Sequence, residues 1–115
     1  MEQYKVEITK EALQDMEDIY NYIALELLSP ENAMGQYNRI TDEILTLDMS
    51  PQRYRIMDSE PEKQMELRRM LVDNYSVFYT QHQILKHDFV VYSVFLETCD
   101  YLNFMEALWT RKSIG

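Results

Sequence analysis

The stretch that decides the fold is Met65-Glu-Leu-Arg-Arg-Met-Leu-Val72, then Asp73-Asn74, then Tyr75-Ser-Val-Phe-Tyr-Thr80, and after a polar connection Phe89-Val-Val-Tyr-Ser-Val-Phe-Leu96. These are three β-branched and aromatic runs, separated by turn chemistry. Asp73-Asn74 suits a two-residue hairpin, because Asp and Asn tolerate positive φ best after glycine. In the first run Leu67, Arg69 and Leu71 share one face, and Arg68, Met70 and Val72 share the other. The run 89–96 is almost wholly apolar, so it is expected inside the sheet, covered on both faces. A bare meander of this kind is unstable and needs a helical layer.

The first half of the chain supplies that layer. Tyr4-Lys5-Val6-Glu7-Ile8 alternates as a half-buried strand, and Thr9 is placed to cap a helix. From Lys10, Leu13, Met16, Tyr20, Ile23 and Leu27 recur at spacings of three and four, which predicts one buried stripe. Ser29-Pro30-Glu31 has the order of N-cap, N1 proline and first-turn acid. The second helix carries Ala33, Tyr37, Ile40, Ile44 and Leu47, and is expected to end before Ser50-Pro51. So short a connection makes the two helices an antiparallel hairpin. Residues 52–64 form a polar connection, in which Arg53 to Ile56 is extended and Ser59-Glu60-Pro61-Glu62 turns. After the sheet, Thr98 or Asp100 is placed to cap a final helix with Leu102, Met105, Leu108 and Trp109 on its apolar side. Residues 111–115 are expected to fray. The expected fold is α+β: a strand, a helical hairpin, a three-stranded antiparallel meander and a C-terminal helix.

At 115 residues the chain reads as a single domain, 1–115, with room for a real core. Its formal charge of −9 argues against general affinity for nucleic acid. Residues 10–48 hold nine acids against two bases, which is seven of those nine net charges. The acidic hairpin is either a solvated face or the receiver of a basic partner. Its one cysteine, Cys99, fits a reducing cytoplasm and reads as a buried, inert thiol. The N-terminal residues, without a basic n-region or apolar h-region, are not expected to act as a signal peptide, and no apolar run approaches the roughly 20 residues of a membrane span.

No constellation of a common catalytic type stands out. Gly35 and Gly115 cannot build a phosphate-cradling loop. His82 and His87, without Cys or His partners at metal-ligand spacing, read as edge histidines, so neither metal nor cofactor is expected. Arg68 and Arg69, with Arg53 and Arg55 upstream, carry the planar fork that suits phosphate or carboxylate. The alternative is that one of Arg68 and Arg69 points to solvent and the other pairs with a helix acid.

The N-terminal Tyr-x-Val-x-Ile strand, the helical hairpin and the run Leu67-Arg68-Arg69-Met70-Leu71-Val72-Asp73-Asn74-Tyr75-Ser76-Val77-Phe78-Tyr79 together resemble the RelE/ParE superfamily of type II toxin–antitoxin toxins. The likeness covers residues 3–80. It implies a small growth-inhibiting toxin, neutralised by a cognate antitoxin that wraps it and adds a helix or strand to its groove. RelE-like members cleave mRNA in the ribosome with basic residues and a C-terminal tyrosine or histidine. ParE-like members lack that set, and characterised ones poison DNA gyrase. On the RelE pattern, Leu71 stands at the strand arginine, Arg69 two residues earlier on the same face, and Glu97 at the C-terminal basic residue. The terminal tyrosine would fall near Tyr101 or Asn103.

RNA cleavage needs a cation for the phosphate and an acid and base within reach. It also needs attraction to a polyanion, which an acidic chain opposes except very locally. The ParE-like reading therefore leads: a binding toxin rather than an enzyme, with antitoxin or target contacts at Arg53, Arg55, Arg68, Arg69, Tyr75 and Tyr79. A ribosome-dependent mRNA endonuclease using Arg68 and Arg69, or a degenerate toxin that only binds antitoxin, are the alternatives.

Overall fold

The structure is a computed structural model that describes residues 4–82 and 85–96. The expected C-terminal helix, Cys99 and Glu97 lie outside the described residues. Four strands make one mixed sheet: β1 (Lys5–Ile8), β2 (Arg68–Val72), β3 (Tyr75–Gln81) and β4 (Asp88–Leu96). Between β1 and β2 run α1 (Lys10–Asn21), a π-helical turn (Tyr22–Glu26) and α2 (Pro30–Leu45). Two 3-10 turns follow, Thr46–Asp48 and Pro51–Arg53.

The sheet order is β1-β4-β3-β2, so the apolar run 89–96 is an interior strand, as its composition requires. β4 pairs antiparallel with β3 and parallel with β1, which gives the sheet its mixed character. β2 and β3 form the expected hairpin, with Val72 opposite Tyr75 across Asp73-Asn74. Asp73 takes the left-handed conformation there, at φ 55°. The ladder slips at one point: Tyr79 pairs with Val91 and Phe78 with Ser93, leaving Tyr92 as a bulge.

Thr9 caps α1 as its position suggests, its hydroxyl accepting from the Ala12 N–H at 3.1 Å. Ser29 stands at the N-cap of α2, ahead of Pro30 at N1, but its side chain makes no capping bond. The π-helical turn closes with Leu27 N–H donating to Tyr22 O at 3.1 Å. Leu28 then adopts φ 53°, the left-handed residue that ends many helices and is usually glycine. The Ser29 N–H completes the stop by donating to Ile23 O at 3.1 Å.

The main core lies between the helices and one sheet face. Ala12, Met16, Ile40, Ile44 and Leu47 meet Met70, Val72, Val77, Tyr79, Phe89, Val91 and Val94. The α2 stripe is largely the expected one, and on α1 Met16 and Ile23 of the expected stripe are buried, but the rest of that stripe is not in the core. Leu13 and Leu27 are 45% and 56% exposed, while Ala12 and Met16 are buried and Ile19 packs against the core. Ala12, Met16, Ile19 and Ile23 have the same spacing as the expected set. Periodicity could not separate the two, and the sheet accepts the stripe that starts with the small residue because its backbone can come closer. On the other face a smaller cluster of Met65, Leu67 and Phe78 packs with Met57 and Tyr92.

Asp15 also departs from the expected solvated face. Its Oδ2 accepts from Ser93 Oγ at 2.9 Å and from the Val94 N–H at 3.1 Å. It thus fastens α1 to β4 just beyond the bulge.

Candidate functional site

The four arginines gather around the 54–59 segment, on the two sides of β2. On the helical side Arg53 Nη2 donates to Thr46 Oγ1 at 2.5 Å, and its guanidinium lies 5.2 Å from the Tyr54 ring centroid. Glu43 Oε2 is 3.9 Å from the same nitrogen. Arg68 Nη1 donates to Tyr54 O. Tyr79 is fully buried beside them, its hydroxyl donating to Pro51 O at 2.7 Å. Burial pushes the Tyr79 hydroxyl up to about 12, against the opposing pull of Arg68 and Arg53. It therefore keeps its proton near neutral pH and acts as a donor that anchors the 51–54 loop. Tyr79 is part of the main core.

On the opposite side Arg69 Nε donates to Ser76 Oγ at 2.9 Å. Arg55 is highly exposed and sits 3.8 Å from Asp58. Arg55 and Arg69 share a cleft of about 430 Å³ with Tyr54, Met57, Asp58 and Ser59. Arg68 is held by a backbone carbonyl, and Arg69 bonds Ser76 across the hairpin.

Tyr75 stands apart, next to the β2–β3 turn. Burial raises its pKa, with smaller contributions from nearby Tyr22 and Asp73. His82 and His87 flank the β3–β4 connection. Arg68 lies opposite Tyr79, in the half of the hairpin nearer His82. Even so, His82 Nδ1 accepts from the Leu85 N–H at 2.9 Å, and the His87 ring is 6.0 Å from that of Tyr4. Among the described residues no group of three or more His, Cys, Asp or Glu could hold a metal ion.

Two features escaped the sequence reading. One is a latch from the hairpin turn to α2. Asp73 Oδ2 accepts from Arg39 Nε at 2.7 Å and from Gln36 Nε2 at 3.0 Å, and Gln36 itself is buried. These bonds hold the Asp73 carboxyl below its ordinary value of 3.8. A depressed folded-state value stabilises the fold above the unfolded value, and that contribution is lost as pH falls through the folded one. Urea midpoints should therefore fall more steeply below about pH 4 in the wild type than in Asp73→Asn, which lacks this titration. Equal slopes would show that the latch adds nothing to stability.

The other is a groove on the outside of the helical hairpin. Leu13, Glu17, Tyr20, Asn21, Met34, Tyr37 and Asn38 line an open cleft of about 510 Å³. Its floor is aromatic, with Tyr20 and Tyr37 edge-to-face at 6.3 Å. Leu13 and Met34 stay half-exposed at its sides. The signal for it was present in the second apolar stripe of α1, which the core does not use. No helix among the described residues is long and apolar enough to cross a membrane.

Comparison with known proteins agrees with this architecture. The family model of the ParE toxin of type II toxin–antitoxin systems, parDE, matches residues 6–95. No curated protein matches the chain. A solved structure described as the chromosomal ParDE toxin–antitoxin system from P. aeruginosa has a similar fold, with TM-score 0.64 and 15% identity over 82% of this chain and 96% of that one. The matched span runs from β1 through β4 and includes the helical hairpin and the arginine-bearing strand, so the chain belongs to the ParE toxin family of type II toxin–antitoxin systems.

Proposed function

We propose that this chain acts by binding DNA gyrase, and that a cognate antitoxin holds it inactive by laying an amphipathic helix along the α1–α2 groove. The observation that carries the reading is the groove itself. It presents Leu13, Tyr20, Met34 and Tyr37 on a hairpin that holds most of the chain's net negative charge. An apolar floor with an acidic surround fits a helix with an apolar face and basic flanks.

The expected result is a complex with the product of the adjacent gene that survives gel filtration and is lost in Leu13→Glu, which stays folded because Leu13 is outside the core. Expression of the chain alone should arrest growth, and purified protein should accumulate cleaved DNA with gyrase. Full induction without arrest, together with no complex, would overturn the reading; a complex without arrest would leave an antitoxin-binding protein that is not toxic.

One observation favours a second reading. Arg55 and Arg69 share an open cleft that could take a phosphate. Under a RelE-like activity, ribosomes programmed with a defined message would show new codon-specific 5′ ends, absent in Arg69→Ala. We expect unchanged messages, because Tyr79 keeps its proton and the resolved contacts of His82 and His87 lie within the β3–β4 connection and on Tyr4.

A further inference from the structure

Residues 22–28 close the helical hairpin, and of this run only Ile23 is buried. Tyr22, Leu25 and Leu27 are each more than half exposed, and Leu28 is 82% exposed. Contiguous apolar surface of this kind marks an interaction site. The run lines neither the α1–α2 groove nor the cleft of Arg55 and Arg69.

The backbone points the same way. Tyr22–Glu26 is a π-helical turn, a rare geometry that recurs at functional sites. Leu28 holds φ 53°, where a leucine is strained and a glycine is not. Stopping the helix accounts for a left-handed residue here but not for a leucine. The stop is made by main-chain bonds from Leu27 and Ser29 to Tyr22 O and Ile23 O. Strain of this sort clusters where side chains are used.

The surroundings define what fits. From residue 11 to residue 38 the chain has six acids and no base. Glu26 lies in the tip, Asp18 one turn before it and Glu31 in the first turn of α2, and all three are exposed. A second copy of the chain would set like charges against each other. Leucines at a hairpin end form a knob, and a knob needs a preformed pocket, which a single amphipathic helix does not offer.

We propose that Tyr22, Leu25, Leu27 and Leu28 are a docking knob for the toxin's protein target, entering an apolar pocket edged with Lys or Arg. The antitoxin binds elsewhere, in the α1–α2 groove. Naming the target as gyrase rests on the proposed function; the knob and the chemistry of its pocket do not.

The test follows three readouts of the full chain: DNA cleavage with purified gyrase, growth arrest, and the antitoxin complex in gel filtration. Leu28→Gly should raise the concentration needed for cleavage at least about tenfold, as loss of a buried anchor does. It should weaken arrest, yet keep the antitoxin complex. Its melting temperature should be no lower than that of the wild type, because glycine relieves the strain. Should that variant fail to fold, Leu25→Gln carries the same expectation from an exposed position of the turn. Leu13→Glu should do the reverse, losing the antitoxin complex and keeping cleavage. Full cleavage by a folded Leu28→Gly overturns the knob and leaves the gyrase reading standing. Loss of its antitoxin complex, or a wild-type dimer that it disrupts, overturns the knob by giving the tip another occupant. Arrest that depends on Leu28 without gyrase-dependent cleavage would sustain the knob and defeat the gyrase reading. A wild-type chain that neither arrests growth nor acts on gyrase overturns both.

Discussion

Ile44→Ala should destabilise the protein by about 2–5 kcal/mol. Ile44 is fully buried where α2 meets the sheet, with Ile40 and Leu47 on the same stripe at 1% and 0% exposure. Removing its outer carbons forfeits transfer energy and leaves a cavity that a sheet backed by Val77 and Tyr79 cannot close. In urea, the midpoint should fall with little change in slope. Ile23→Ala, at 9% exposure, should follow at the lower end of that range. Leu13→Ala should cost less than about 1 kcal/mol, since its side chain is already half in water and removing it opens no closed cavity. A Leu13 variant weaker than the Ile44 variant would mean that the other stripe of α1 faces the sheet.

Asp15→Ala should cost about 1–3 kcal/mol, an unusual loss for an acid on a helix of this composition. The carboxylate accepts from a Ser93 hydroxyl that is fully buried and from the Val94 N–H. Truncation takes this acceptor from both donors, and an unmade buried hydrogen bond costs more than a made one contributes. Glu17→Ala is the matched control, an exposed acid on the same helix whose loss should stay within about 0.5 kcal/mol. A double-mutant cycle with Ser93→Ala should show coupling, because Ser93→Ala removes one of the two donors to the Asp15 carboxylate. If Asp15→Ala and Glu17→Ala melt alike, the tie between α1 and β4 is without energetic weight.

Part of the candidate site was legible in the chain. Arg53, Arg55, Arg68 and Arg69 could be singled out by residue type, and the structure does bring them around the 54–59 segment. Their partners were not legible. Arg68 is spent on Tyr54 O and Arg53 on Thr46, contacts that close loops of fourteen and seven residues. Tyr79, singled out as a candidate antitoxin or target contact, is a buried anchor of the 51–54 loop. The hairpin groove was hidden for a simpler reason: Leu13, Tyr20 and Tyr37 of its lining read as core.

By itself the sequence determined what depends on local chemistry. It placed the Asp73-Asn74 turn, the Thr9 cap, the proline-led start of α2, the interior position of β4 and the buried stripe of α2. It also carried the family resemblance that the match over residues 6–95 makes good. Only the tertiary structure decided between choices that local chemistry leaves equal. Two stripes on α1 had the same period, and the sheet took the one whose Ala12 lets the backbones approach. Acids that look alike in sequence became a solvated Glu17 and a bonded Asp15, because the register slip at Tyr92 brings Ser93 and Val94 to α1. Packing buried Met16 and Ile23 with Ala12 and left Leu13 and Tyr20 open, and such an open edge becomes a groove only when a second helix stands beside it.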